Sequence, residues 1–209
     1  MIVTKPKLIS EVIDNLVNSK KVFVVGCAAC ATKCLSGGEK ETAAFVEELK
    51  KRGKEVTGSA VLDTPCDMRI AKRDLSKSDA VAKSDAVVVL ACGAGIGAIE
   101  KVIDKKLVPA LNPVFVGTME RIGVSYEYCC VCGDCIIGTT GGICPVTRCA
   151  KSLRNGPCGG AVNGKCEVDP DCDCVWALIY EKSKKTEGRG LPRGIAGPRS
   201  YNKPRSIEK

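Results

Sequence analysis

Histidine is absent from the 209 residues, aromatic side chains make up only 4% of them, and the longest unbroken apolar run is Ala86–Cys92. Without imidazole there is no Ser-His or Cys-His catalytic pair, no Rieske centre and no zinc site with a nitrogen ligand. Any resident metal must sit on sulfur, helped at most by a carboxylate. The apolar run is too short to cross a bilayer, and the opening MIVTKPKLISEVIDNLVNSKK lacks the apolar stretch of a signal peptide. The expectation is a soluble, cytoplasmic chain without a membrane span.

Charge is also scarce over most of the length. The formal net charge is +8, but residues 182–209 hold nine basic and two acidic side chains, a net of +7, which leaves +1 for residues 1–181. A nearly neutral body argues against a nucleic-acid surface. No acid–base pair stands out either, because Asp169, Asp171 and Asp173 fall in a turn-like stretch where such residues ordinarily serve local geometry. What is abundant is cysteine, at 15 residues. In a reducing compartment disulfides are rare, so an odd number of thiols points to metal ligation or redox chemistry.

Apolar pairs at Leu8-Ile9, Val12-Ile13 and Leu16-Val17 recur every four residues, the pattern of an amphipathic helix. Lys21–Val25 is a β-branched strand, and Gly37-Gly38 opens a helical stretch through Ala44, Phe45 and Leu49 that Gly53 caps. Glu55–Leu62 reads as a second strand, Met68–Leu75 as a helix, Ala86–Ala91 as a third strand and Ile96–Lys105 as a helix. Strand and helix alternate, so residues 1–124 are expected to form an α/β domain with a small parallel sheet of flavodoxin or Rossmann-like kind. Val108–Gly117 adds one strand, confined to an edge by Pro109 and Pro113.

From Ser125 the composition changes. Residues 125–174 carry ten of the fifteen cysteines, many glycines and almost no periodic apolar pattern. Residues 125–181 are therefore expected to form a Cys-rich, irregular module stapled by metal–thiolate bonds rather than by a hydrophobic core. A short helix, Val175–Tyr180, closes it, with Trp176 and Tyr180 a turn apart over a small core. Residues 182–209 are a basic tail, rich in Gly and Pro, that cannot bury enough apolar surface to fold alone.

In the α/β domain Cys27 ends the first strand, Cys66 follows the second and Cys92 ends the third, while Cys30 and Cys34 lie on the loop after Cys27. The carboxyl ends of parallel strands share one edge, where ligands bind, so all five thiols are expected to converge. Cys27-x2-Cys30-x3-Cys34 supplies three thiolates, and Cys92 or Cys66 completes a [4Fe–4S] or tetrahedral zinc site. Cys92 is preferred because its glycine-flanked turn permits close approach. That turn, CGAGIG, only superficially resembles a dinucleotide fingerprint, its spacing being G-x-G-x-G. Cys27 and Cys30 also fit a thioredoxin-like dithiol, but such an enzyme does not need Cys34, Cys66 and Cys92 at the same edge. Lys33 either offsets cluster charge or is a solvated lysine.

The second series is Cys129, Cys130, Cys132 and Cys135, then Cys144-Pro145, Cys149, Cys158, Cys166, Cys172 and Cys174. Cys129-x2-Cys132-x2-Cys135 has the spacing that wraps three corners of an iron–sulfur cube. A bacterial ferredoxin continues with x3-Cys-Pro, whereas here Cys-Pro follows after eight residues. Ten thiols exceed one tetranuclear site and suffice for two, with Cys130 and Cys172 as spares. One or two four-thiolate zinc sites are the alternative, which would fold the segment but carry no electrons. Arg148, Lys151, Arg154 and Lys165 either raise the potential of an anionic cluster or form a solvated face.

TTGGICPVTRCAKSLRNGPCGG (139–160), GKCEV (164–168) and CVW (174–176), together with GCAACATKC (26–34) and ACGAG (91–95), resemble the methylenetetrahydrofolate reductase C-terminal domain family over roughly residues 20–181. The resemblance implies a small iron–sulfur subunit that pairs with a flavin-containing methylenetetrahydrofolate reductase catalytic subunit in anaerobic, folate-dependent one-carbon metabolism. By position it places Cys129, Cys132, Cys135, Cys144, Cys149, Cys158, Cys166 and Cys174 in the family pattern, with Cys130 and Cys172 as additions. The flavin- and folate-binding barrel has no counterpart among these residues, so folate reduction is not assigned to them.

The leading expectation is thus an electron-transfer subunit with two to three [4Fe–4S] clusters, zinc being the alternative at one or more sites. A zinc-stapled assembly subunit and a thiol oxidoreductase on Cys27 and Cys30 are the competing readings. The tail is expected to lie across an acidic surface of the flavin subunit or of a further electron-donor subunit, through Arg189, Arg193 and Arg199.

Overall fold

The computed structural model describes residues 1–185 and 194–198, in two compact units, Met1–Tyr126 and Glu127–Lys209. In chain order the first holds β1 (Ile2–Pro6), α1 (Ile9–Asn15), β2 (Lys21–Cys27), α2 (Cys30–Lys33), α3 (Glu39–Lys51), β3 (Glu55–Leu62), α4 (Met68–Leu75), α5 (Asp79–Ala82), β4 (Ala86–Val89), α6 (Gly93–Glu100), β5 (Lys106–Pro109), β6 (Leu111–Arg121) and the start of β7 (Val124–Cys129). The chain is α/β, as its alternating pattern indicates.

Strands β2 to β5 form a parallel sheet in the order β3-β2-β4-β5, with Val24 set between Ser59 and Val88. Val22, Val24 and Val25 of β2 and all of β4 are fully buried, so these strands read as continuous β-branched runs without polar alternation. The helical boundaries have local causes. Asp67 caps α4 by accepting the Arg69 N–H at 2.9 Å, and Gly53, at φ 75°, ends α3 in the left-handed conformation that glycine takes freely. At the amino ends of the central strands, Asp85 accepts the N–H groups of Lys20 and Lys21 at 2.9 and 2.7 Å.

The segment expected to add one edge strand divides instead. Pro109 ends β5, which is the edge of the parallel sheet, and Leu111 begins β6, the middle strand of a separate sheet ordered β1-β6-β7. Ala110 joins the two, its N–H donating to Val89 O at 3.0 Å and its carbonyl accepting from Lys7 N at 2.9 Å. Pro113 is tolerated in this central strand because it faces Thr4 at a bulge between Val3 and Thr4, where the ladder is already interrupted. The helix expected over Ile96–Lys105 lies earlier, with Cys92 as its N-cap residue, so the glycines after Cys92 are helical rather than an open turn.

The second unit has little regular structure: a 3-10 turn at Ile137–Thr139, α7 (Pro145–Arg148), α8 (Val175–Lys185) and two isolated bridges, Val162 to Lys165 and Lys165 to Asp173. Its apolar cluster is Cys174, Val175, Trp176 and Ile179, flanked by Ile143, Cys149 and Ala177. Trp176 donates its indole N–H to Leu153 O at 3.2 Å, so the ring covers the cluster with its polar edge satisfied. Tyr180 is half exposed and sits under the Lys184 ammonium instead. The tail residues Arg189, Arg193 and Arg199 lie outside the described residues. Residues 194–198 return to this unit's own surface, where Asn155 exchanges two hydrogen bonds with Ala196. Among the described residues no helix is long and apolar enough to cross a membrane.

Candidate functional site

Cys27 is the last residue of β2 and is buried. Its N–H donates to Gly37 O at 2.8 Å, which folds the following loop back onto the strand end. Gly26 makes that fold possible, since a Cβ there would lie 2.3 Å from Thr42 Oγ1 and 2.8 Å from Gly37 O. The Thr32 hydroxyl donates to Cys27 O at 2.9 Å, and Ala28 N donates to Leu62 O at 2.8 Å, carrying the β2–β3 pairing past the strand. Cys30, half-buried, opens α2. Exposed Cys66 sits four residues beyond β3, and half-buried Cys92 is the N-cap residue of α6.

These four thiols lie at or after the carboxyl ends of the adjacent parallel strands β2, β3 and β4. Burial pushes the Cys66 thiol above its ordinary value, and the neighbouring thiols of Cys92, Cys27 and Cys30 push it the same way, because a thiolate is disfavoured beside another. The two loops come together through Pro65, whose ring would lie 3.4 Å from a Cβ on Gly95 of α6. Cys34 is placed differently. It is the C-cap residue of α2, and its Sγ lies 3.8 Å from Ile2 O of β1, so it turns toward the antiparallel sheet. The expected set of Cys27, Cys30 and Cys34 with Cys66 or Cys92 as the fourth thiol thus has Cys34 in contact with β1 and the other four at or after the ends of β2, β3 and β4. Lys33 is exposed.

In the second unit Cys144 is buried at the N-cap position of α7 and donates to Thr147 Oγ1 at 3.5 Å. The same hydroxyl accepts the Cys130 N–H at 3.0 Å, so Thr147 ties the Cys144 turn to the loop carrying Cys129, Cys130, Cys132 and Cys135. Nothing in the spacing of the cysteines marks Thr147; its place one turn into α7 after Cys-Pro is the only available signal. Within that loop Cys129 Sγ accepts from Val131 N at 3.4 Å and Cys132 Sγ donates to Asp134 O at 3.5 Å. Cys135 is exposed.

The remaining five thiols, Cys149, Cys158, Cys166, Cys172 and Cys174, line one cavity of about 200 Å³ beside Trp176. Backbone bonds from Cys166 N to Cys172 O at 3.0 Å and from Cys174 N to Gly164 O at 2.7 Å hold its wall. Cys172 is set apart chemically. Its thiol donates to Asp169 Oδ2 at 3.0 Å, and that bond, with the carboxylate's charge, raises its pKa and keeps the proton on sulfur. Cys149, Cys158, Cys166 and Cys174 are the other four thiols of the cavity.

Lys151 and Lys165 are exposed, and three of the four basic residues singled out in the sequence are paired with carboxylates. Lys151 pairs with Glu167, Arg154 with Asp134 at 2.6 Å and Lys165 with Asp173 at 2.7 Å, while Arg148 lies over the Tyr128 ring at 5.3 Å. The carboxylate partners of Lys151, Arg154 and Lys165 offset the charge that those three would lend to a neighbouring centre. Among the described residues no three Cys, Asp or Glu side chains are gathered tightly enough to hold a single metal ion. The donor set is nonetheless all thiol, grouped by the sheet edge in one unit and by the cavity in the other, and such donors suit iron–sulfur clusters or zinc.

No curated protein and no solved structure matches the chain. Residues 108–202, a stretch that includes every cysteine of the second unit, match a family model described as "Methylene-tetrahydrofolate reductase C terminal".

Proposed function

We propose that the chain is an iron–sulfur electron-transfer subunit of a methylenetetrahydrofolate reductase complex, passing electrons to the flavin of a separate catalytic subunit. The family match associates it with that enzyme. The observation that carries the electron-transfer reading is the thiol-lined cavity, whose wall holds Cys149, Cys158, Cys166 and Cys174. A [4Fe–4S] cluster bound there supplies one-electron chemistry. The chain's own residues hold and shield it: Trp176 and Val175 exclude water from one side, and the Lys151–Glu167 pair flanks the opening. Cys129, Cys132, Cys135 and Cys144 form a second set of four, braced by Thr147.

Anaerobically purified protein should contain iron and acid-labile sulfide and give a paramagnetic signal on one-electron reduction. Protein holding only zinc would overturn the reading. It would favour instead the assembly subunit, for which the small apolar cluster of the second unit speaks, since zinc would then be its main source of stability.

A further inference from the structure

We propose that residues 194–198 form a strap that closes one side of the Cys-rich unit, held by its main chain in a clamp of Arg154 and Asn155 and released without disturbing the thiols. Asn155 grips Ala196 at both of its main-chain groups: Oδ1 accepts the Ala196 N–H at 2.7 Å, and Nδ2 donates to Ala196 O at 3.1 Å. Only one orientation of the amide makes both bonds, since the flipped amide sets donor against donor and acceptor against acceptor. Arg154 adds a longer bond, from Nη1 to Gly197 O at 3.4 Å, while its Nη2 pairs with Asp134 Oδ2 at 2.6 Å. The clamp reads main chain alone. A Cβ at Gly194 or Gly197 would meet nothing within 4 Å, and the Ile195 side chain is 89% exposed.

What the strap covers follows from where the clamp sits. Gly194 and Ile195 line a cavity of about 660 Å³ together with Trp176, Tyr180 and Cys174. Trp176 is tied to the same stretch of chain as the clamp, because its indole N–H donates to the carbonyl of Leu153, the residue before Arg154. Gly156, directly after the clamp, has φ 120°, a conformation that residues with a side chain rarely adopt, and it turns the chain on to Pro157 in the wall of that cavity. Trp176, the clamp and the strap thus form one connected run beside Cys174. The strap buries little apolar surface, so the three hydrogen bonds to Asn155 and Arg154 are its main hold, and it belongs to the part of the fold that opens first. Its release bares the Trp176 side of the cavity to solvent. None of this rests on a metal, so the strap holds whether the proposed function stands or fails.

The test compares the full chain, prepared anaerobically, as wild type, Asn155→Ala, Ala196→Pro and the double variant. Trp176 is the sole tryptophan, so acrylamide quenching of its fluorescence reads access to this side, and hydrogen exchange of the Ala196 amide reads the strap itself. Asn155→Ala should speed exchange at Ala196 by about tenfold and raise the quenching constant of Trp176. Ala196→Pro deletes the N–H that Asn155 accepts, so it should raise quenching too, and the double variant should add less than the sum of the single effects. Asn155 is exposed, so the far-ultraviolet spectrum and the metal content should stay at their wild-type values. Wild-type quenching or wild-type Ala196 exchange in Asn155→Ala overturns the proposal, and so do fully additive effects, which would mean that the two residues do not act through one contact. Loss of metal in Asn155→Ala also overturns it, because the strap would then be part of what holds the thiols.

Discussion

The two units hold cysteines by opposite means. In Met1–Tyr126 the thiols are guests on a scaffold that closes without them: β2 and β4 are buried on both faces, and the core runs from Val12 through Leu49, Leu75 and Ile99 to Leu111. In Glu127–Lys209 the apolar cluster among the described residues is Cys174, Val175, Trp176 and Ile179 with three partly buried neighbours, so under the proposed function the cysteines become part of the scaffold. Apolar burial stabilises at about 25 cal/mol per Å², and the second cluster buries too little to offset the ordering of its loops. The first unit is therefore expected to be stable without metal and the second to depend on it.

The strongest way to break this contrast is to remove the metal. With chelator and reductant under anaerobic conditions, amides of β2 and β4 should keep their hydrogen-exchange protection while those of residues 127–185 lose nearly all of theirs. Equal protection of both units in metal-free protein would show that the second folds on its own core and would remove the reason for stapling it.

A matched pair of substitutions sharpens the same contrast. Ile99 in α6 and Ile179 in α8 are both fully buried, so Ile→Ala deletes the same atoms in each. In the densely packed first unit the cavity cannot close, and Ile99→Ala should cost about 2–5 kcal/mol in denaturant melts. Ile179→Ala, in metal-loaded protein, should fall at or below the low end of that range, because loosely packed surroundings collapse into the space. A larger cost at Ile179 would mean that the small cluster, not metal, carries the second unit.

The same difference decides what the sequence makes legible. Period and punctuation identify elements whose stability is local or sheet-based: Met68–Leu75 and Glu55–Leu62 lie where the pattern places them, and Gly53 ends α3. The three-stranded sheet was not legible, because it joins Ile2–Pro6 to a partner more than a hundred residues away and its middle strand carries a proline. At the candidate site, the placement of Cys27, Cys66 and Cys92 at or after the ends of three adjacent strands follows from the alternating pattern, whereas the contact of Cys34 with Ile2 O does not, because spacing along a loop does not say where the residue after a four-residue helix turns its side chain. The ion pairs of Lys151, Arg154 and Lys165 were invisible for a similar reason, their partners lying 8 to 20 residues away across irregular chain.

Trp176 offers a finer probe of the second unit. Trp176→Phe keeps most of the ring's apolar surface but deletes the N–H donated to Leu153 O. The expected cost is about 0.5–1.5 kcal/mol in metal-loaded protein, with metal content unchanged. Loss of metal on this substitution would instead make Trp176 part of what holds the cavity in shape.

The smallest expected effect tests whether the first unit's sheet has any polar seam on which it depends. Asp85 lies between α5 and β4 and clamps the entry to β2 by accepting two backbone N–H groups, which hold its carboxyl below the usual carboxylate range. A group whose pKa is depressed by folding stabilises the native state above its unfolded value, about 4, and loses that contribution as the pH falls through the folded value. Asp85→Asn retains an acceptor oxygen but no charge. The wild type should therefore be slightly more stable than the variant at pH 6, and the gap should shrink as the pH falls below about 4. The backbone N–H groups of Lys21 and Lys20 give the part of the gap that persists in salt, while the charges of Lys21 and Lys105 add a part that salt screens. Stability measured by denaturant melts across pH decides the point: a gap that stays constant down to strong acid would mean that the charge of Asp85 contributes nothing, and that the sheet is held by burial alone.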